Sequence, residues 1–262
     1  MTLSPGGLPM SSVEPGRLAD GFWLAAHDSV GVKPRIVGWP LGIGLAAGLL
    51  AESIEGGFLE VRGGELFRTT ARFPEDPALR AVLQAMAREE RDWSSLPPLL
   101  ESTLARGPVP GRARNGTGMV RRGCSGRRRG HDLDSWLSYL AYARRAEDRV
   151  VERLSRDGLV RREESHRLFG RSRVRYRPLD SAVAGQPASA VTVAVRRGDQ
   201  LDRACLLLAG LMAATGLHEH ALATLTSADR AALNGQLKNG LDGMLWALIL
   251  AAEASVGEGA MR

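Results

Sequence analysis

Cysteine is scarce in this 262-residue chain: only Cys124 and Cys205 are present. One sits in an arginine-rich stretch and the other in an apolar, helix-forming run. That excludes a disulfide framework and a cysteine metal cage, and points to a reducing compartment. Lysine is nearly absent, so the net charge of +6 is carried almost wholly by arginine. Aromatic residues make up 5%, which leaves Leu, Ala and Val to build the core and favours helix. Long hydrophobic runs are missing too. The longest, Leu41–Ala51 and Leu206–Ala214, contain Gly48 and Gly210 and fall well short of the ~20 residues a spanning helix needs. Met1–Ser12 shows no basic segment before an apolar one, so no leader peptide is expected. The histidines at 27, 131, 166, 218 and 220 show no H-E-x-x-H spacing, and His218 and His220 are two apart, off a common helix face. No G-x-S-x-G, P-loop or strand-borne G-x-G-x-x-G occurs. Neither an enzyme nor a cofactor is expected.

What is present reads as a mainly α protein: a single helical domain with a helical-bundle core and two β-hairpins, one of them apolar-tipped. Residues 1–15 form a Ser/Gly/Pro tail, residues 16–255 the domain and residues 256–262 a C-terminal tail. Helical spacing runs through Gly16–His27, Leu41–Ile54, Asp76–Glu90, Asp199–Thr215, Leu217–Thr224, Ala228–Leu233 and Asn239–Ala254. A short helix is also expected within Trp93–Leu104. Leu41–Ile54 is apolar nearly all round, as a buried helix is, with Gly44 and Gly48 allowing another backbone close. Phe58–Thr69 alternates about Gly63-Gly64, a hairpin pattern. Asp132 or Asp134 caps one long helix predicted to end near Asp157-Gly158. A second hairpin pairs Leu159–Glu164 with Arg171–Arg177. Residues 106–130 hold eight arginines and no acid, and are read as a mobile basic loop.

Four stretches resemble the Golgi phosphoprotein 3 family, in that family's order. They are LADGFWLAAHD at Leu18–Asp28, GLAAGLLAESIEGGFLEV at Gly44–Val61, RVVERLSRDGLVRREESHRLFGRSRVRYRPLD at Arg149–Asp180 and QLDRACLLLAGLMAATGL at Gln200–Leu217. A late helix with Trp246 also fits, and the resemblance spans about Gly16 to Ser255 outside the basic loop. It implies a peripheral membrane protein on the cytoplasmic face of a membrane, binding phosphatidylinositol 4-phosphate or a related phosphoinositide. The arginine and alanine bias fits a bacterial member. A head-group pocket would use a tryptophan before the small-residue helix, for which Trp39 stands nearby, and several arginines. The family's arginine inside that helix falls near Ala46 here, and Arg35 is positioned to substitute. Of an arginine pair on the long helix, the first matches Arg144, beside Arg145, and the second falls on Glu147. The membrane-inserting hairpin would present Leu168 and Phe169, flanked by Arg167, Arg171 and Arg173.

Arginine suits this chemistry because its planar fork gives phosphate two charge-assisted hydrogen bonds. Near an anionic leaflet each basic side chain adds ~1 kcal/mol, enough with two inserted apolar groups for reversible docking. The competing reading of each arginine is a solvated face, with Arg144 paired to Asp148 at i,i+4. Trp39, between Gly38 and Pro40, is equally suited to packing. The apolar tip also suits contact between two copies. A second function class stays open: Arg149–Arg177 imitates a winged helix, whose basic wing would track DNA phosphates. Nucleic acid ranks below a lipid surface as partner, because no helix-turn-helix pair precedes the wing. A protein cargo is left unassigned.

Overall fold

The computed structural model describes residues 17–27, 34–95, 130–165 and 173–260, and they form the expected mainly helical architecture. At its centre lie α1 (Leu18–Ala26), every residue of which is buried, and α2 (Trp39–Glu55), buried from Leu41 to Ile54. They pack closely because α2 offers glycines to α1. A Cβ on Gly44 would stand 2.2 Å from the Phe22 ring, and one on Gly48 2.9 Å from the Ala19 Cα.

The first hairpin, β1 (Leu59–Arg62) and β2 (Glu65–Arg68), turns at Gly63-Gly64, both with positive φ as the turn requires. It gains a third strand that the sequence pattern did not reveal, β3 (His131–Asp132), with Leu66 opposite His131. Between them, α3 (Pro77–Ser95) runs on through Trp93; the short helix expected after Pro97-Pro98 lies outside the described residues.

The predicted long helix is two. Asp132 does cap the first, α4 (Leu133–Ala141), by accepting from the Ser135 N–H at 2.7 Å. A 3₁₀ turn over Tyr142–Arg144 then breaks the rod, with Ala143 at φ 52°, ψ 27° and Arg144 at φ 60°, ψ 24°. Helix α5 (Arg145–Arg156) follows at once. The break was invisible because apolar spacing continues across it, from Leu137 and Leu140 to Ala146 and Val150. The second hairpin pairs β4 (Val160–Ser165) with β5 (Arg173–Pro178), Arg161 facing Arg177 and Arg162 facing Tyr176. Its tip, and the basic stretch up to residue 129, lie outside the described residues.

Helix α6 (Ser181–Arg197) forms in a stretch to which the sequence pattern assigned no element, and it carries Pro187 inside it. Asp180 caps it and Gly198 ends it in the left-handed conformation, while Pro187 packs against Gly21 of α1. The chain continues through α7 (Arg203–Ala214), the short α8 (His218–Ala221), α9 (Ser227–Gly240) and α10 (Gly243–Ala260). The expected tail from 256 is therefore helical as far as Ala260. Its last turns are held by Trp39, which packs on Gly259 and bonds Ser255.

Candidate functional site

The break between α4 and α5 sits against the start of α2: a Cβ on Gly42 would lie 3.1–3.2 Å from Ala141. Two consecutive non-glycine residues with positive φ cost about 1–3 kcal/mol each, and such strain gathers where side chains must be held for use. Here it presents Tyr142, 66% exposed, and Arg144, whose side chain is 58% exposed. Arg145 lies over both tyrosines of the corner, 4.3 Å from the Tyr139 ring centroid and 5.3 Å from that of Tyr142, and donates to the Tyr139 carbonyl at 2.9 Å. Such an aromatic–guanidinium stack leaves a flat, half-apolar, basic surface.

Arg144 is not free. Its Nε and Nη2 donate to the two Glu147 carboxylate oxygens at 2.8 and 2.6 Å, a bidentate pair at i,i+3 rather than the i,i+4 contact with Asp148 expected from spacing. Arg35 is bonded to the α1 C-terminus, where Nη1 donates to the Ala25 carbonyl at 3.1 Å and its backbone N–H to the Ala26 carbonyl. His27, which follows that helix, is buried and stacked on Trp23, with Nδ1 2.7 Å from the Trp23 carbonyl. Burial and then the Arg144 charge bring its pKa down to about 4, against the pull of that hydrogen bond. The imidazole is neutral at pH 7, and Arg144 supplies the positive charge it feels.

Trp39 is turned elsewhere. Its indole N–H donates to the Ser255 carbonyl at 2.8 Å and the ring packs on Gly259, so it ties α2 to α10. Of the hairpin residues, Arg167, Leu168, Phe169 and Arg171 lie outside the described residues, and Arg173 is placed only as the start of β5. Lower in the hairpin, Arg161 and Arg177 pair with Glu163, and Arg162 with Glu164, so part of its basic charge is compensated.

The feature that sequence reading missed is a buried ionic cluster. Arg153, 2% exposed, projects from the inner face of α5 between α1 and α2. Nε donates to Asp20 at 2.8 Å, Nη1 and Nη2 to Glu52 at 2.8 and 3.0 Å, and Asp76 lies 3.5 Å away. Glu52 also accepts the Ala19 backbone N–H. Burial would release the Arg153 proton, but Glu52 and Asp20 outweigh it and hold it more firmly than usual. At Asp20 burial wins over the Arg153 charge, and with Glu52 adding repulsion its pKa rises to about 7. Consistent with that, Asp20 Oδ2 has no hydrogen-bond partner among the described residues. The cluster locks α5, and hence the strained corner at its N-terminus, to α1 and α2. The one sequence hint was an arginine on the stripe of Ala146, Val150 and Leu154.

A cavity of about 300 Å³ borders this cluster through Glu52, lined by α1, α2, α6 and α7 and including Glu55, Pro187 and Cys205. The Cys205 thiol is pushed up to about 11 by burial and by Asp202, which makes it a poor nucleophile. Among the described residues no group of three or more His, Cys, Asp or Glu side chains is arranged to hold a metal ion.

The sequence pattern of the family described as Golgi phosphoprotein 3 (GPP34) matches residues 18–253, nearly the whole chain. The chain belongs to the Golgi phosphoprotein 3 family. No curated protein matches it. Membership is consistent with phosphoinositide-binding peripheral membrane function. Arg35 is bonded to the end of α1, the Arg144 charge is felt by His27 at that end, and Arg145 lies on its own tyrosine stack. Glu147 closes on Arg144 at the position where the family resemblance expects a second arginine.

Proposed function

We propose that this Golgi phosphoprotein 3 family member is a peripheral membrane protein. Its Arg35–Arg144–Arg145 face would bind the head groups of anionic phospholipids on the cytoplasmic side of a membrane. Phosphoinositides are the ligand class the family resemblance names, phosphatidylinositol 4-phosphate first, and the arginine-rich composition suits a bacterial member. The observation that carries the reading is the exposed corner itself: two strained residues hold Arg144 and Tyr142 at the surface, in a chain whose family is consistent with membrane docking. Tyrosine with arginine suits the polar boundary of a bilayer. No helix among the described residues is long and apolar enough to cross a membrane, so attachment would rest on this face and on the hairpin.

The winged-helix reading is weaker on the same surface. The outward side of α5 carries Asp148 and Glu152, which would meet phosphate, and the hairpin arginines are partly paired with Glu163 and Glu164. The deciding experiment is co-sedimentation with neutral, anionic and phosphatidylinositol 4-phosphate vesicles at physiological salt, with duplex DNA as competitor. Anionic vesicles should bring the protein down and neutral ones should not. Arg144→Ala and Phe169→Asp should each weaken binding. Failure to bind any vesicle, with tight binding to DNA, would reverse the assignment.

A further inference from the structure

Resting on that reading of the corner, we infer that Glu147 sets its head-group specificity, tuning the site to a singly charged phosphodiester rather than a phosphomonoester. The Arg144 guanidinium has five N–H donors. Two of its nitrogens, Nε and Nη2, spend a parallel pair of donors on the Glu147 carboxylate. The remaining edge, with Nη1, is left for a ligand. Glu147 itself is well covered, its side chain 13% exposed, so the pair is held in place rather than loosely solvated. A phosphodiester presents two non-bridging oxygens and one negative charge. It can take the free edge of Arg144 without disturbing Glu147, and the resulting carboxylate–guanidinium–phosphate row carries a single net negative charge.

A phosphomonoester carries about −1.5 to −2 at pH 7 and offers three strong acceptors. It needs several uncommitted forks, and here they are partly committed: Arg145 to the Tyr139 carbonyl and its two rings, Arg35 to the Ala25 carbonyl. It would also meet the charge of Glu147 at close range, with Asp148 exposed one residue further on. Like charges brought together at a binding surface discriminate strongly against the wrong partner. Unphosphorylated phosphatidylinositol and phosphatidylglycerol have the favoured head-group chemistry.

The test compares vesicles of phosphatidylinositol, phosphatidylglycerol and phosphatidylinositol 4-phosphate, with lipid fractions adjusted to equal surface charge. Wild-type protein should bind the phosphomonoester vesicles no more tightly than the phosphodiester ones. Glu147→Gln should raise the ratio of phosphomonoester to phosphodiester affinity by about tenfold, and Glu147→Arg further. Glu152→Gln removes the same charge from an exposed position one turn on and should leave the ratio alone. Unfolding midpoints of all variants establish that the fold is intact. A wild-type preference of tenfold or more for the phosphomonoester, or a ratio unmoved by both Glu147 changes, overturns the inference while leaving anionic-membrane binding standing. Absence of binding to every vesicle overturns both.

Discussion

Replacing Arg153 by methionine should be among the most damaging single changes in the protein, and its cost should depend on pH in a defined direction. The guanidinium makes four hydrogen bonds, two of them to each of two carboxylates that are almost wholly buried, if the 2.7 Å Nη2 contact with Asp20 is included. Methionine fills much of the same volume, so packing is largely kept and the loss is electrostatic. Removing one partner of a buried ion pair costs about 3–5 kcal/mol, because the remaining charge is left uncompensated. Against a total stability of about 5–15 kcal/mol, that removes a large share. Stripped of Arg153, Asp20 relieves its burial by holding its proton more firmly still. The unfolded chain gives that proton up at the ordinary carboxylate pKa, so the variant should recover stability as pH falls. Urea unfolding of wild type and Arg153→Met at pH 8 and pH 5 measures both effects. Wild-type Asp20, at about 7, also gains stability over this interval, so the deficit should be about 1 kcal/mol smaller at pH 5. A deficit below about 1 kcal/mol at pH 8, or one equal at both pH values, would refute the assignment of Arg153 as counter-ion to the buried Asp20 and Glu52.

Two further predictions follow from the titrating groups and the strained turn. Asp20 is raised from 3.8 to about 7, so the stability it contributes is complete below pH 4 and is lost as pH rises through 7, about 4 kcal/mol in all. His27 is lowered from 6.5 to about 4, so its contribution is complete above pH 6.5 and is lost as pH falls through 4, about 3 kcal/mol. The two slopes oppose each other in the wild type. In His27→Asn the stability measured by urea should fall steadily from pH 4 to pH 7, and in Asp20→Asn it should fall from pH 6.5 down to pH 4; variants with unchanged slopes would contradict both assignments. At the corner, Ala143→Gly should stabilise the fold by about 1 kcal/mol despite glycine's usual cost in helices, because glycine adopts φ 52° without strain. Thermal unfolding would show a rise of a few degrees, and a fall would mean that the left-handed turn is not strained.

The central helices were legible because their signals are local. The run from Leu41 to Ile54 is apolar on every side, which only a buried helix tolerates, and Gly63-Gly64 marks its hairpin turn directly. Helix α6 was hidden by residues whose meaning depends on context: Pro187 reads as a breaker until Gly21 of the neighbouring helix gives its ring a place. The α4–α5 break was hidden for the opposite reason, since nothing in Tyr142-Ala143-Arg144 favours positive φ and the apolar period runs straight through. At the candidate site, Arg35, Arg144 and Arg145 could be named from the sequence and its family resemblance. What each one bonds could not, because the choice between Glu147 and Asp148 turns on the left-handed conformation of Arg144 itself. Arg153 was invisible in that way too. An arginine among Val150, Val151 and Leu154 reads as solvated, and its partners lie 133 and 101 residues away.

Arg144 and Arg153 show how burial separates two roles for the same pairing chemistry. Both stand on or beside α5 and both bind a glutamate through two guanidinium nitrogens. Around Arg153 water is excluded and a second carboxylate takes the other side of the fork, so every strong donor edge is used and the result is architecture: α1, α2 and α5 cannot shift independently. Around Arg144 the side chain is more than half exposed and one edge of the fork stays open. Its position is nevertheless set by the same elements, because α5 begins at the residue after it. The interior cluster therefore fixes the geometry of a surface site that it does not touch. A variant such as Arg153→Met should loosen head-group binding only under conditions where it also loosens the fold, whereas Glu147→Gln should change selectivity in a protein that is otherwise intact.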